Sequence, residues 1–192
     1  ALTSSDIPAS NYPFCTINSN VGIVNVPDRR LQAINQFIKT KSIISTTIEF
    51  IDIAGLVKGA STGEGLGNQF LSNIRNVDTL VHVVRCFENS DITHVEGNID
   101  PLRDIQIIET ELMLKDLERL NKRLSKVQKL SKSNDKHAKE EIELLESALK
   151  LLDQGKLLFD FAKNESEKEI IDSWFLLTTK PILYLCNIDE EN

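Results

Sequence analysis

The sequence has few cysteines and no long hydrophobic run. Its three cysteines, Cys15, Cys86 and Cys186, are scattered along 192 residues and do not show the spacing of a disulfide framework. Each lies near an apolar segment, which predicts buried thiols in the reduced state. No run approaches the roughly 18 apolar residues of a membrane helix, and no signal peptide is visible. These absences favour a cytoplasmic protein without a membrane partner.

Positive charges are outnumbered, with 22 Lys or Arg residues against 29 Asp or Glu residues. The net charge is −7 at pH 7, which argues against nucleic-acid binding by the whole surface but does not exclude a local basic patch. The sequence contains no phosphate-binding loop of the form G-x-x-x-x-G-K-[ST]. A length of 192 residues suits one sizeable domain, or one domain that carries an insertion.

Glycine is rare and concentrated in one stretch. Four of the 8 glycines, Gly59, Gly63, Gly65 and Gly67, stand close together. A packed connector does not need such backbone freedom, whereas a switch loop that becomes ordered on a phosphate does. The stretch therefore predicts a loop that responds to a bound phosphate.

The glycine-rich stretch follows a predicted strand. Residues 48–53 are apolar and rich in β-branched side chains apart from Glu49, which is typical of a buried strand. Asp52 stands at its carboxyl end, and Gly55 follows three residues later. In Walker-B sites a carboxylate at this position holds Mg²⁺, and the glycine N–H approaches a terminal phosphate. The pattern D-x-x-G also occurs in ordinary loops, so on its own it leaves both interpretations open.

Other segments predict further strands and helices of one α/β domain. Strands are predicted at residues 21–26, 80–84 and 182–186. Helices are predicted from an N-cap at Asp28 to about Lys39, over residues 66–76, and as two short pieces at residues 157–162 and 165–175. Because a strand follows residues 101–155, this stretch is an insertion within the domain.

Residues 101–155 are rich in leucine and charge and almost free of glycine and proline. Apolar residues recur there at spacings of four and three, which predicts two helices that pair as an antiparallel coiled coil. The seam positions are Met113, Leu117, Leu120, Leu124, Val127, Ala138, Ile142, Leu145, Leu149 and Leu152. Asn134 or Asp135 is a candidate N-cap of the second helix, and Gly155 suits its end.

This arm carries a local excess of positive charge. From Lys115 to Lys139 there are nine Lys or Arg residues and three Asp or Glu residues. The stretch is interpreted either as the solvated face of a coiled coil or as a basic prong that contacts RNA phosphates, as on a ribosome. Because residues 115–139 contain no aromatic side chain, stacking on bases is not expected there.

Four motifs together resemble a known family. They are NYPFCTI at residues 11–17, DIAGLVKGAS followed by GEGLGNQFLSNIR from residue 52, HVVRCFE from residue 82 and NIDE from residue 187. In this order they closely resemble the Obg-like ATPase (YchF) subgroup of the Obg-related P-loop NTPases, over essentially the whole chain. The resemblance implies a Ras-like, three-layer α/β P-loop NTPase domain with an inserted antiparallel coiled-coil arm. Residues 1–100 would form its first part, residues 101–155 the arm, and residues 156–192 the return with the base-recognition loop.

The resemblance implies an ATP-hydrolysing switch linked to ribosomes, translation or stress, with ATP, Mg²⁺ and a ribosome or RNA as ligands. A non-catalytic RNA- or ribosome-binding module and a GTPase are the alternatives. The family's phosphate-binding loop is expected upstream of Ala1, together with its strand and half of the next helix. A small ubiquitin-like (TGS-like) domain is expected after Asn192. The 192-residue chain alone is therefore predicted to bind ATP weakly and to be inactive.

The resemblance also assigns residues to phosphate and metal. Thr16 matches the switch I threonine that would reach Mg²⁺ and the γ-phosphate, against the interpretation that it only starts a strand. Asp52 would hold Mg²⁺, and Gly55 would donate its N–H to the phosphate. Many GTPases place a water-orienting Gln after that glycine, but this chain has Leu56. A neutral imidazole such as His94, a residue of the glycine-rich loop, a monovalent cation such as K⁺, or a partner would then orient the water. His94 is a candidate because it lies in a polar segment after a predicted strand end, and an ordinary exposed loop histidine is the competing interpretation.

Base recognition is assigned to residues 187–190. GTPases have N-K-x-D here, and the Asp accepts hydrogen bonds from the guanine edge. In this chain Asn187 is kept, Ile188 replaces the Lys and Glu190 replaces the Asp. A carboxylate displaced by one methylene no longer matches guanine, and buried polar groups left unpaired discriminate strongly. The family with this pattern prefers ATP, and an acidic turn after a strand is the competing interpretation.

Overall fold

A computed structural model of the chain describes residues 20–53, 71, 73–89, 92, 94, 96–130 and 136–189. Within these residues the elements follow in the order β1 (Asn20–Asn25), α1 (Arg29–Phe37), β2 (Thr47–Asp52), β3 (Leu80–Arg85), α2 (Pro101–Leu130), α3 (Lys136–Asp153), α4 (Glu165–Asp172) and β4 (Ile182–Asn187). Residues 71 and 73–75 are also helical, inside the predicted helix 66–76. The chain divides into two units, Ala1–Gly55 (unit 1) and Leu56–Asn192 (unit 2).

Unit 1 contains an antiparallel strand pair with a helix in the connection. β1 pairs with β2 so that Asn25 lies opposite Thr47. Asp28 caps α1, since its Oδ1 accepts a hydrogen bond from Arg30 N at 2.8 Å, which pairs an N–H group that the helix itself leaves free. The positions of the predicted strands and the predicted N-cap are confirmed, but the prediction that residues 48–53 are buried is wrong, because β2 is exposed or half-buried along its length. The helix ends at Phe37, slightly earlier than predicted.

Unit 2 contains a parallel strand pair that joins segments far apart in sequence. β3 pairs with β4, with Leu80 opposite Ile182 and Arg85 opposite Asn187. Beyond the last pair, Cys86 N donates to Asn187 O at 2.8 Å, so the two strands end side by side. Both strands confirm the predicted positions, but most of β4 is exposed, so the prediction of a buried thiol is wrong for Cys186. Their common carboxyl end is the edge at which open α/β sheets bind ligands.

Helices α2 and α3 form the predicted arm and share one hydrophobic core. All the predicted seam positions belong to this core or pack against it. Leu120 and Leu145 are fully buried, and Arg123 Nε donates to Glu141 Oε1 across the pair at 2.7 Å. The seam is therefore confirmed by packing, whereas the domain boundaries at residues 100 and 155 stay predictions. None of the described helices combines the length and the apolar character needed to cross a membrane.

The end of α3 explains the position of Gly155. Its φ is +72°, a left-handed conformation that glycine adopts without steric cost. Gly155 N donates to Leu152 O at 2.9 Å and Lys156 N donates to Leu151 O at 3.0 Å. This pair of bonds is the Schellman motif, which satisfies carbonyls at a helix end. The prediction that the helix ends at this glycine is confirmed.

The short helix predicted at residues 157–162 is wrong. The chain runs there through turns, and Leu158 N donates to Thr178 O at 3.1 Å. The side chain of Leu158 is buried in the same core as Ile171 and Trp174. The apolar residues of this segment thus belong to a returning loop that packs on the arm. The helix predicted at residues 165–175 is present but shorter, as α4.

A buried carboxylate fixes the loop that leads into β4. Asp116 on α2 is fully buried. Its Oδ2 accepts hydrogen bonds from Leu177 N at 2.9 Å, Thr178 N at 2.8 Å and Thr178 Oγ1 at 2.7 Å. The middle of α2 is therefore tied directly to the segment that precedes β4.

Candidate nucleotide-binding site

The structure describes four of the seven residues predicted for the site. These are Asp52, His94, Asn187 and Ile188. The other three lie outside the described residues, and they are Thr16, Gly55 and Glu190. Leu56 and the glycine-rich stretch also lie outside. Asp52 belongs to unit 1, and the other three described residues belong to unit 2.

In unit 1, Asp52 occupies the predicted strand end. It is the last residue of β2 and is exposed. Among the described residues, no three His, Cys, Asp or Glu side chains come together as a metal site. A single accessible carboxylate fits Mg²⁺, which usually binds one or two carboxylates and completes its shell with substrate phosphates and waters. Asp52 is therefore the described residue that would hold the metal.

In unit 2, Asn187 and Ile188 stand where β4 ends. Asn187 is the last residue of the strand, and its carbonyl accepts the bond from Cys86 N. Ile188 follows as an apolar side chain that is 56% exposed. The position fits a base-recognition loop, since a strand end fixes the backbone while the following side chains stay accessible.

The loop after β3 is organised by Arg85, a residue that the sequence reasoning did not single out. Its guanidinium donates to the carbonyls of Phe87, Asn89 and Ile92, each at 3.1 Å. The same guanidinium lies 4.8 Å from the centroid of the Phe87 ring, a cation–π distance. Arg85 thus shapes the segment that leads from the strand end toward His94. The motif HVVRCFE was the available signal.

His94 is docked with both ring nitrogens engaged. Its Nε2 lies 2.9 Å from Asp104 Oδ2, and its Nδ1 accepts a hydrogen bond from Glu96 N at 3.1 Å. The turn closes with a bond from Gly97 N to His94 O at 3.1 Å. The His94 side chain is 15% exposed. In this arrangement, water reaches a ring nitrogen only if one of the two partners gives way.

Asp104 is held in turn by its own neighbours, and it too was missed from the sequence. It lies in the first turn of α2. Arg103 Nη2 lies 3.2 Å from Asp104 Oδ1, and Arg103 Nη1 donates to Asn98 Oδ1 at 2.6 Å. Asp100 Oδ1 accepts from Arg103 N at 3.1 Å and so caps the helix start. The carboxylate facing His94 is therefore held by Arg103, which is itself anchored on Asn98.

A second polar group ties α2 to the parallel strands. Tyr184 on β4 donates its hydroxyl to Glu109 on α2. Burial, together with the nearby Glu109 carboxylate, raises the pKa of Tyr184 to about 12, so the hydroxyl stays protonated and keeps donating. The ring of His82 lies 5.9 Å from that of Tyr184. Burial lowers the pKa of His82, while Glu109 and Asp104 oppose that shift.

The basic side chains of the arm are accessible along one helix. Lys122, Lys126 and Lys129 are exposed on α2 at spacings of four and three, so they lie on one face. The Nζ of Lys122 pairs with Glu118, which also pairs with Lys115. Hydrogen bonds from these lysines lower the pKa of Glu118 to about 2.

Comparisons with known proteins give the family. Residues 1–129 match the family model of the 50S ribosome-binding GTPases. The protein named ribosome-binding ATPase YchF from Haemophilus influenzae is 49% identical over 191 residues, which cover 100% of this chain and 53% of that protein. The protein of the same name from Bacillus subtilis is 47% identical over 191 residues, 100% of this chain and 52% of that protein. The chain thus spans about half the length of the curated relatives it matches.

A solved structure agrees in fold. The structure of the Schizosaccharomyces pombe YchF GTPase superposes with a TM-score of 0.74 and 41% sequence identity, over 95% of this chain and 50% of that chain. The described elements, an α/β arrangement with the long helices α2 and α3, accord with a P-loop NTPase domain that carries a helical arm. The chain therefore belongs to the family of 50S ribosome-binding GTPases, within its YchF, Obg-like group of P-loop NTPases.

Proposed function

We propose that this chain is the nucleotide-binding part of a cytoplasmic, ribosome-associated switch that hydrolyses ATP to ADP and phosphate. The observation that carries the proposal is the identity of 47–49% along the whole chain to proteins named ribosome-binding ATPase YchF. The ends of β3 and β4 support it, because they lie side by side and lead to His94 and to the loop of Asn187 and Ile188.

The phosphates and Mg²⁺ would be held partly by residues of this chain. Asp52 and Thr16 would supply oxygen ligands to the metal, and Gly55 a backbone donor to the γ-phosphate. The metal would neutralise charge on the phosphates during transfer. Most phosphate donors in this fold come from the P-loop and the helix after it, and Ala1–Asn192 contains no P-loop motif. Calorimetry of Mg-ATP with this chain alone is expected to show very weak binding, whereas micromolar affinity would mean that another segment forms the phosphate site.

The proposed preference for ATP rests on the base loop. Ile188 and Glu190 stand where GTPases have the Lys and Asp that recognise guanine. In a protein that carries both this chain and a P-loop, the double variant Ile188→Lys and Glu190→Asp is expected to shift affinity from ATP toward GTP. The matched control makes the same two changes at exposed positions elsewhere, Ile44→Lys and Glu165→Asp, and should leave selectivity alone. Unchanged selectivity in the loop variant would place base recognition elsewhere.

His94 is proposed to orient the attacking water, since Leu56 cannot hydrogen-bond. The role requires Nδ1 to exchange the Glu96 N–H for a water molecule, and a residue of the glycine-rich loop, K⁺ or a partner remain the alternatives. His94→Ala is expected to lower kcat by about 10²–10⁴, the usual contribution of a positioned acid–base group, with nucleotide affinity nearly unchanged. Normal turnover in this variant would remove His94 from the mechanism.

The arm is proposed to contact the ribosome or other RNA, which is also the second candidate function if the chain is not catalytic. The supporting observation is the exposed row of Lys122, Lys126 and Lys129, set against a net charge of −7. Such contacts depend on salt, because each phosphate contact releases a counterion.

Sedimentation with ribosomes at several salt concentrations tests the arm. Replacing the three lysines by Ala should weaken binding and lower the slope of log K against log salt by about 0.7–0.9 per lost phosphate contact. The matched control removes three exposed lysines outside this row, Lys150, Lys156 and Lys163. Equal effects of the two triple variants would show that net charge, and not the arm surface, determines binding.

A further inference from the structure

The polar contacts of His94 define which of its nitrogens carries the proton. A neutral imidazole has one N–H donor and one acceptor nitrogen. The backbone N–H of Glu96 can only donate a hydrogen bond, and its nitrogen lies 3.1 Å from Nδ1 of His94. Nδ1 must therefore be the acceptor. The proton is then on Nε2, which faces Asp104 Oδ2 at 2.9 Å, and a carboxylate is an acceptor. The two contacts therefore agree on a single tautomer.

We propose that Asp104 is a positioning residue for hydrolysis, which holds His94 in the tautomer whose Nδ1 accepts a hydrogen bond from the attacking water. This inference rests on the proposed role of His94. In the described arrangement, the N–H of Glu96 occupies the place that an O–H of water takes during the reaction. Because both are single donors at the same nitrogen, one replaces the other without a change of tautomer or of ring orientation.

The surroundings of Asp104 suit a positioning role. The carboxylate belongs to the first turn of a 30-residue helix, so its backbone is more rigid than a loop would allow. Its second oxygen, Oδ1, is engaged by Arg103, which is itself anchored on Asn98. The side chains of His94 and Asp104 are only 15% and 19% exposed, so bulk water competes little for this bond.

The Glu96 side of the ring has the opposite character. Glu96 and Gly97 are exposed, and Gly97 has a φ of +85°, so the turn is closed by a residue that can change its backbone conformation at low cost. One ring nitrogen is thus fixed on a helix, and the other is covered by an exposed turn. Release of the Glu96 N–H frees Nδ1 while Asp104 keeps the ring in place.

Kinetics of the protein that carries this chain and a P-loop test the assignment. Asp104→Asn is expected to lower kcat by about 10- to 100-fold, the loss typical when the partner that orients a metal-bound histidine is removed, with KM nearly unchanged. Asp104→Glu should recover part of the loss. The matched control is Asp100→Asn, which removes the same charge one turn earlier and keeps a residue able to cap α2.

A double variant separates positioning from other roles. If Asp104 acts through His94, then Asp104→Asn should have little further effect in the His94→Ala background, because residues that act as a unit are not additive. Fully additive losses in kcat would overturn the proposal. A rise in KM with kcat unchanged would overturn it as well, since Asp104 would then serve nucleotide binding.

An NMR measurement on this chain tests the tautomer without any turnover. The ¹⁵N shifts of an imidazole distinguish a proton on Nε2 from one on Nδ1, and the three histidines of the chain can be assigned by omission in His94→Ala. His94 is expected to carry its proton on Nε2, and Asp104→Asn is expected to move it toward a mixture. A pure Nδ1–H form, or no change in Asp104→Asn, would overturn the proposal. Normal turnover in His94→Ala together with the expected NMR result would contradict the proposed role of His94 and, with it, the role of Asp104 in hydrolysis, and would leave only the tautomer assignment standing.

Discussion

The two units of the chain differ in how their apolar residues are used. In unit 2, the core side chains of both arm helices, the returning loop and α4 are buried together. In unit 1, none of the described residues 21–53 is buried, although many of them are apolar. Phe37 is 87% exposed, Ile44 85% and Ile23 66%. The comparison shows that apolar content alone does not produce a core.

The reason lies in the number of elements that share an apolar face. The described part of unit 1, a two-stranded pair and one short helix, offers few surfaces to cover one another, and isolated strand pairs are marginal in water. The described part of unit 1 is stabilised by the backbone hydrogen bonds that pair β1 with β2 and by the N-cap bond of Asp28. Unit 2 has long helices that bury a continuous seam. Stability of the chain should therefore depend on unit 2.

The largest expected effect is in the arm core. Leu145→Ala, at a fully buried position, should lower the free energy of unfolding by about 2–5 kcal/mol, because it leaves a cavity. The matched change in unit 1, Ile23→Ala, should stay within about 0.5 kcal/mol, as for other exposed positions. Urea unfolding of both variants measures the difference. Equal losses would mean that unit 1 buries Ile23 in solution, and the comparison would fail.

The next effect concerns the loop before β4. Asp116→Ala leaves the N–H groups of Leu177 and Thr178 without their acceptor, and a stranded buried donor costs about 1–3 kcal/mol. Unfolding should therefore occur at clearly lower urea concentration. Ser147→Ala, an exposed change on α3, is the control and should have little effect. A neutral result at position 116 would show that water or another group replaces the carboxylate.

Asp116 also predicts a pH dependence. Burial raises the pKa of Asp116, and the hydrogen bonds from Leu177 and Thr178 only partly oppose this shift. Since the pKa is higher in the folded state, the contribution of this group to stability is complete below the ordinary pKa of 3.8. It is lost as the pH rises through the folded value. In Asp116→Asn this dependence should disappear, which urea unfolding at a series of acidic pH values can detect.

A smaller effect is expected where α3 meets the segment after α4. Glu141 Oε1 accepts from Arg123 Nε at 2.7 Å and from Trp174 Nε1 at 3.0 Å. Glu141→Ala should destabilise by roughly 1–2 kcal/mol, since the buried indole N–H of Trp174 loses its partner. Glu141→Gln keeps an oxygen acceptor and should cost less. Urea unfolding of both variants gives the order of their stabilities. A lower free energy of unfolding for Glu141→Gln than for Glu141→Ala would contradict the prediction.

The smallest effect is on the exposed face of α2. Lys115 and Lys122 lower the pKa of Glu118 to about 2 from 4.5. Because the folded pKa is depressed, this stabilisation is present above about pH 4.5 and is lost as the pH falls toward 2. For exposed helix pairs it amounts to about 0.3–0.5 kcal/mol. In Glu118→Gln, the decrease of the free energy of unfolding between pH 5 and 2 that is due to this group should disappear. High salt should remove the difference in stability between the variant and the unchanged protein, because it screens the ion pairs.

Local patterns in the sequence predicted the elements but not the contacts between them. Spacings of four and three identified the seam from Met113 to Leu152, because a helix places such residues on one face. β-branched runs identified the strands for a similar reason. The same apolar spacing gave a wrong prediction of a helix at residues 157–162. Leu158 is instead buried as part of a loop, and its N–H donates to the carbonyl of Thr178, twenty residues further along the chain.

The site was predicted in part, for the same reason. Motifs located Asp52 and Asn187, and His94 was suggested by its place in a polar segment after a predicted strand end. Asp104 and Arg85 were missed, because their roles depend on how a loop folds back onto a helix start or a strand end. The spacing of residues along the sequence does not predict that Asp104 contacts the ring of His94. Thr16, Gly55 and Glu190 lie outside the described residues, and their roles stay predictions.

The central claim is that this chain is the nucleotide-binding part of an ATP-hydrolysing switch. Its most direct test is turnover of ATP and GTP, measured side by side with Mg²⁺ on the protein that carries this chain and a P-loop. We expect that ATP is hydrolysed and that an equal concentration of GTP competes poorly. Preferred hydrolysis of GTP, or no hydrolysis of either nucleotide with and without ribosomes, would contradict it.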